Sequence, residues 1–270
     1  MRTFEEVCWP LADRAEDWRR DFGRTALIGL CGPQGSGKTT IATAAVSLLK
    51  RRGLSAVALS LDDFYLGREA RGWLAGKVHR LLQVRGPPGT HDVALACNIL
   101  DHLRQAGETP LPAFDKATDE RVSKGLWRTV EGPVDVVILE GWCVGARPEP
   151  AERLRKPLNP LEQRDDPTGG WRGYVNRQLG EGYQALFGRL DRLVFLQAPG
   201  WEVVRGWRAE QEAKLRAARP GSGMSDAEIG RFVQHYERLT RWMLEEMPGR
   251  ADWVIRLMAD RTPIPMTHES

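Results

Sequence analysis

Five short apolar runs divide the chain, at residues 26–31, 55–61, 134–139, 192–197 and 253–257, each of a length that suits a buried strand. Between them the hydrophobic period changes to that of helices. Residues 40–52 read as a helix ended by Gly53, and residues 92–105 as a second one ending at Gly107, with Thr90 or Asp92 as its cap. A helix over 171–187 directs Tyr174, Leu179, Tyr183 and Leu186 inward, and another spans 201–218. Ser225-Asp226-Ala227-Glu228 is a capping box opening a helix to about Met247, whose buried stripe is Ile229, Phe232, Val233, Tyr236 and Leu239. Residues 4–22 add a leading helix with Trp9, Leu11, Ala15 and Trp18 packed on the domain. Strands alternating with helices predict an α/β, doubly wound parallel sheet of about five strands with helices on both faces. The stretches 66–90 and 145–170 read as a long loop and a surface excursion, and the prolines of 110–128 restrict it to an extended edge segment or loop.

Chemistry enters between the first strand and its helix. Gly32-Pro33-Gln34-Gly35-Ser36-Gly37-Lys38-Thr39, running into Thr40, fits G-x-x-x-x-G-K-[ST]. In that motif closely spaced backbone N–H groups face phosphate oxygens, a lysine reaches the β/γ-phosphates and a hydroxyl holds Mg²⁺. The following helix N-terminus adds a favourable dipole. Kinases, ATPases and GTP switches all share this element.

Composition narrows the class. The 270 residues suffice for a single P-loop domain over 1–270, with a lid-like segment near 201–223. Net charge is only +3, with no basic block or aromatic-basic interleaving, so a nucleic-acid partner is not expected. Cys8, Cys31, Cys97 and Cys143 are scattered, which fits a reduced cytoplasmic protein without structural zinc. No signal-type apolar core or membrane-length run is present, so no membrane partner is expected, and no feature specifies an oligomeric state.

Candidate side chains follow from strand ends, because ligands of open parallel sheets bind beyond the carboxyl ends of the strands. Asp62 ends the second run and is placed to take a proton from an acceptor hydroxyl; a turn or cap aspartate is the alternative. Tyr65 follows it. Glu140 ends the third run, where P-loop proteins place the carboxylate that orients Mg²⁺, or is an ordinary strand-end acid. Arg85 and Lys116 are either anion contacts or surface charges, and His91 is either an acceptor contact or structural. The helix over 201–218, with Arg205, Arg208, Glu210, Lys214 and Arg216, followed by Pro220-Gly221-Ser222-Gly223, either closes over the phosphates or is a solvated basic helix.

In the same order along the chain, Gly32 to Thr39, Leu61-Asp62-Asp63-Phe64-Tyr65, Val84-Arg85-Gly86 with Gly89-Thr90-His91-Asp92, Phe114-Asp115-Lys116, Leu139-Glu140-Gly141-Trp142 and Gly223-Met224-Ser225-Asp226 resemble a known group. It comprises the P-loop small-molecule kinases that include uridine kinase, phosphoribulokinase and bacterial pantothenate kinase. Within that group the pattern is most similar to plant-type D-glycerate 3-kinases and their microbial relatives, over about residues 25–258. The resemblance implies a five-stranded parallel sheet, a mobile lid, Asp62 as base, Glu140 as the Walker B acid and Arg208 near the lid arginines. Pro87-Pro88, the shorter region after Lys116, and Cys143 depart from the plant-type pattern and touch the acceptor pocket.

The expectation is therefore an ATP- and Mg²⁺-dependent kinase for a hydroxyl of a small acidic metabolite, with D-glycerate first and uridine, cytidine or pantothenate second. Lys38 and the loop amides hold phosphate, Thr39 and Glu140 the metal, and Asp62 the proton; Tyr65, Arg85, His91 and Lys116 face the acceptor. A nucleotide-operated switch or assembly ATPase would belong to another class, but the N-K-x-D segment a switch would carry is absent.

Overall fold

Residues 4–218 and 225–264 are described by the computed structural model. Helix α1 (Trp9–Phe22) leads into β1 (Ala26–Cys31), the phosphate loop and α2 (Lys38–Arg51). β2 (Ala56–Ser60) ends in a 3₁₀ turn, Leu61–Phe64, followed by α3 (Arg68–Lys77) and α4 (Val93–His102). Next come four short strands, β3 (Gly107–Leu111), β4 (Phe114–Asp115), β5 (Glu120–Arg121) and β6 (Arg128–Gly132), and then β7 (Val136–Gly141). Helices α5 (Pro160–Asp165), α6 (Gly170–Gly180) and α7 (Gly182–Phe187) precede β8 (Arg192–Gln197), α8 (Trp201–Ala218), α9 (Asp226–Glu246) and β9 (Trp253–Arg256).

The five apolar runs form one sheet in the order β2-β7-β1-β8-β9, with every neighbour parallel. Alternation along these strands sends side chains to two cores. Leu27, Val57, Val137, Leu139 and Phe195 face α4, α7 and much of α9, whereas Ile28, Leu30, Ile138, Val194 and Leu196 face α1, α2 and α8. Each fully buried leucine or isoleucine contributes about 1.5–3 kcal/mol, so the central strands can be apolar on both faces. Among the described residues no helix is long and apolar enough to cross a membrane.

Several local readings change. The glycine-rich stretch 66–90 contains α3 and a 3₁₀ turn at Arg80–Gln83. Its inward residues are Leu74 and Arg71, and Arg71 satisfies its guanidinium with the Leu66 and Gln83 carbonyls and the Asp119 carboxylate. A buried arginine where an apolar residue would mark the helix hides the periodicity. The excursion 145–170 is anchored: Leu161, Glu162 and Asp166 are fully buried, with Glu162 paired to Arg238 and Asp166 to Arg172. The helix expected over 171–187 is two, broken at Glu181 (φ −103°, ψ −107°).

Asp92, rather than Thr90, caps α4, accepting from the Leu95 amide, a contact of about 1 kcal/mol. The Ser225–Glu228 capping box is present. Trp9, expected in the core, is 46 % exposed. It sits at the first residue of α1, whose inward face is Leu11, Ala12 and Ala15. Pro110 lies in the two-stranded antiparallel β3–β6 ladder, in keeping with an edge segment.

Candidate active site

β1 and β7 pair in register, so Cys31, the residue before the loop, lies beside Gly141 and next to Glu140. The loop leaves β1 and enters α2 through Gly37 at φ +88°, where a side chain would be strained. At Gly35 (φ +79°) an added Cβ would stand 2.7 Å from Cβ of Trp207 on α8. Gln34, Gly35, Gly37, Lys38, Thr39 and Thr40 line a cleft of about 460 Å³, whereas Gly32, Pro33 and Ser36 are buried beneath it.

The cleft also exposes Asp62, Tyr65, Arg85, Lys116, Glu140 and Arg208, so the expected residues from six separate segments converge. Thr39 Oγ1 donates to Glu140 Oε1 at 2.8 Å. Glu140 is 3 % exposed, and among the described residues its Oε2 has no hydrogen-bond partner. A hydroxyl and a carboxylate with a spare buried oxygen suit a hard, oxygen-loving cation such as Mg²⁺. Two protein oxygens are enough for that ion, because phosphates and water supply the rest of its coordination.

Asp62 projects from the 3₁₀ turn after β2. Its Oδ1 accepts from the Tyr65 hydroxyl at 2.7 Å and its Oδ2 from Lys116 Nζ at 2.6 Å. Burial pushes its carboxyl up, but Lys116 and Lys38, together with those hydrogen bonds, bring the pKa down to about 2. Asp62 is therefore a carboxylate at neutral pH. The phenol of Tyr65 is driven well above its usual range by burial and by the Asp62 charge, so it remains a donor.

Lys116 lies on the β4–β5 hairpin, which is tied down at three points. Asp119 accepts from both Arg71 and Arg85, Arg121 donates to the Tyr65 carbonyl at 3.2 Å, and Arg121 also meets Asp92 at 3.2 Å. The Arg85 guanidinium lies 5.7 Å from the centre of the Phe114 ring. Its orientation is fixed by that ring and by Asp119.

His91 is not brought into the cleft. It lies behind Tyr65, with ring centroids 4.8 Å apart, and its Nδ1 meets the Tyr183 hydroxyl at 2.6 Å. The Tyr183 oxygen also accepts from the Gly89 amide, and among the described residues the buried His91 Nε2 has no hydrogen-bond partner. Burial lowers its pKa to about 4. Any effect of His91 on an acceptor therefore passes through Tyr65.

The expected lid is partly wall. Trp201, Val204 and Trp207 bury the first turns of α8 against the sheet, while Arg208 reaches the cleft, lies 5.1 Å from the Phe232 ring centre and donates to Gln211 at 3.0 Å. The Pro220–Gly223 connector lies outside the described residues. Sequence reasoning missed Gln211 and Arg261, and it read Phe232 and Tyr236 only as core stripe, although all four line the cleft. Tyr236 also donates to the Arg85 carbonyl at 2.7 Å.

A parallel sheet with a phosphate loop after its central strand, facing a strand-end carboxylate across a cleft, is the architecture of a P-loop nucleotide-binding protein. The profile described as "Phosphoribulokinase / Uridine kinase family" matches residues 27–146. The uncharacterized kinase mug58 of Schizosaccharomyces pombe is 37 % identical over 245 residues, 87 % of each chain. The chloroplastic D-glycerate 3-kinase of Arabidopsis thaliana is 31 % identical over 220 residues, 78 % of this chain and 46 % of that protein, so the match spans about half of it. Among solved structures, a D-glycerate 3-kinase from Cryptococcus neoformans var. grubii superposes with a TM-score of 0.78 at 24 % identity over 98 % of both chains. That likeness speaks for the fold. The chain belongs to the phosphoribulokinase/uridine kinase family, and it is a kinase.

Proposed function

We propose that this protein is an ATP- and Mg²⁺-dependent kinase that transfers the γ-phosphoryl group to a hydroxyl of a small carboxylate-bearing metabolite, with D-glycerate the leading acceptor. The observation that carries this reading is one cleft lined both by Lys38, Thr39 and Glu140 and by Asp62, Arg85 and Lys116, with Thr39 hydrogen-bonded to Glu140 and Asp62 to Lys116. The Arabidopsis D-glycerate 3-kinase supports the choice of acceptor.

In this mechanism Lys38 and the loop N–H groups hold the β- and γ-phosphates, and Thr39 and Glu140 hold the metal. Bound Mg²⁺ offsets phosphate charge. Asp62, oriented by Tyr65 and Lys116, accepts the proton of the acceptor hydroxyl as its oxygen bonds to the γ-phosphorus. The bond from that phosphorus to the departing ADP oxygen breaks. Positioning and charge neutralisation supply most of the rate, because the transferring group needs little covalent help. Arg85, whose planar fork matches a carboxylate, anchors the acid end of the acceptor.

A panel of D-glycerate, uridine, cytidine and pantothenate, read as ADP formed, tests the assignment. Glycerate is expected to be turned over; glycerate inert with a nucleoside phosphorylated would reverse it. Arg85→Ala is expected to raise the acceptor KM by about 10–100-fold, the loss of one charge-assisted contact, with the ATP KM unchanged. Lys116→Ala gives a pH test. A base works only when ionised, so activity falls as pH drops through its pKa, and removing Lys116 takes away a charge that lowers the Asp62 pKa. The acidic limb of kcat/KM is therefore expected to move to higher pH in this variant; an unmoved limb would count against Asp62 as the base.

A further inference from the structure

After β9 the chain makes a tight turn in which the Arg261 amide donates to the Met258 carbonyl at 2.9 Å and the Met258 amide to the Thr262 carbonyl at 2.8 Å. Arg261 itself sits at φ +72°, a left-handed conformation uncommon for a residue with a Cβ. The turn presents a single side chain to the cleft. Arg261 Nε donates to the Gly35 carbonyl at 2.7 Å, and its terminal nitrogen meets Glu210 at 2.6 Å. Its guanidinium lies 5.2 Å from the centre of the Trp207 ring. Trp207 in turn donates through Nε1 to the Ala259 carbonyl at 2.6 Å and occupies the space that a Cβ on Gly35 would need.

We propose that Arg261 is a positioning residue that presets the phosphate loop for a nucleoside triphosphate. An anion cradle works when its N–H groups point inward, and a carbonyl oxygen rotated into it would repel phosphate. Of the loop's carbonyls, that of Gly35 belongs to its most conformationally free stretch, between the glycines at φ +79° and +88°. Arg261 occupies this oxygen and fixes the plane of the Gly35–Ser36 peptide. Through Glu210 and Trp207 the same guanidinium attaches α8 to the loop.

The inference rests on residues 32–39 being the phosphate site, and the test separates the two. Mg-ATP and inorganic tripolyphosphate with Mg²⁺ are titrated calorimetrically into the full chain and into Arg261→Ala. Arg256→Ala, an exposed arginine on β9, serves as the charge control. The expected result is a loss of about tenfold in affinity for both ligands in Arg261→Ala, none in Arg256→Ala, and an acceptor KM within about twofold of the parent. Failure of the parent to bind either ligand would remove the phosphate-site reading. A parent that binds both with Arg261→Ala equal to it would overturn only the role of Arg261. Loss for Mg-ATP alone, with tripolyphosphate unaffected, would also overturn it, because the side chain would then act on the nucleoside. If Arg261→Ala does not fold, Arg261→Lys decides: it keeps the charge but not the fork, so about threefold weaker binding is expected and parent-like binding contradicts the proposal.

Discussion

Asp62→Asn is expected to lower kcat by about 10²–10⁴-fold while the protein still binds Mg-ATP with near-parent affinity. The substitution keeps the shape of the side chain and the Tyr65 contact but removes the charge and the capacity to take a proton. In the proposed mechanism Asp62 is held ready for that task by opposing influences. Partial burial would neutralise it, whereas Lys116 at 2.6 Å and the nearby Lys38 keep it ionised. A group so held is a weak base in the free enzyme. In the proposed mechanism, phosphate charge arriving beside Asp62 competes for the two lysines and raises its proton affinity, so the base strengthens when nucleotide is bound. Single-turnover phosphoryl transfer and Mg-ATP titration on the same variant separate chemistry from binding. Near-parent turnover would exclude Asp62 as the base.

Lys38→Ala is expected to reduce kcat/KM for ATP by about 10²–10³-fold, the cost typical of losing one preorganised donor to developing charge. Lys38 opens α2 and is half-buried in the cleft, so its removal leaves the two hydrophobic cores intact. The thermal unfolding midpoint in the absence of nucleotide should therefore stay close to that of the parent. Stabilisation of that midpoint by Mg-ATP should shrink, because ligand-induced stabilisation follows the ratio of ligand concentration to Kd. A variant whose midpoint still rises with Mg-ATP as the parent's does would place the phosphates elsewhere.

Much of the fold is written locally. β1, β7 and β8 are apolar runs between helices and are found within two residues of where the pattern puts them, because burial on both faces leaves no competing reading. Asp62 and Glu140 were legible for a related reason: strand ends of a parallel sheet all open on one edge, so two acids at such ends must approach the loop. α3 was not legible, since its inward face uses Arg71 and its sequence carries two glycines. The Glu181 break was hidden because α6 and α7 keep one apolar stripe across it.

Arg261 lay beyond sequence reasoning for a different reason. It bonds to Gly35 across 226 positions of chain, and no local pattern distinguishes it from a surface arginine. Asp119, which clasps Arg71 and Arg85, is a hairpin residue at φ +60° whose partners come from two other segments. His91 illustrates the converse. Its neighbourhood along the chain suggested a ligand contact, but the aromatic ring of Tyr65 lies between it and the cleft.

The β4–β5 ribbon contributes nothing to the five-stranded sheet, yet it carries Lys116 and the aspartate that aims Arg85. In the proposed mechanism the acceptor side is therefore shared, with Tyr65 and Arg85 coming from the main chain segments and Lys116 from a ribbon held on by side-chain clasps. Changes within residues 113–122 would thus alter the acceptor side and the environment of Asp62 together, because Lys116 serves both.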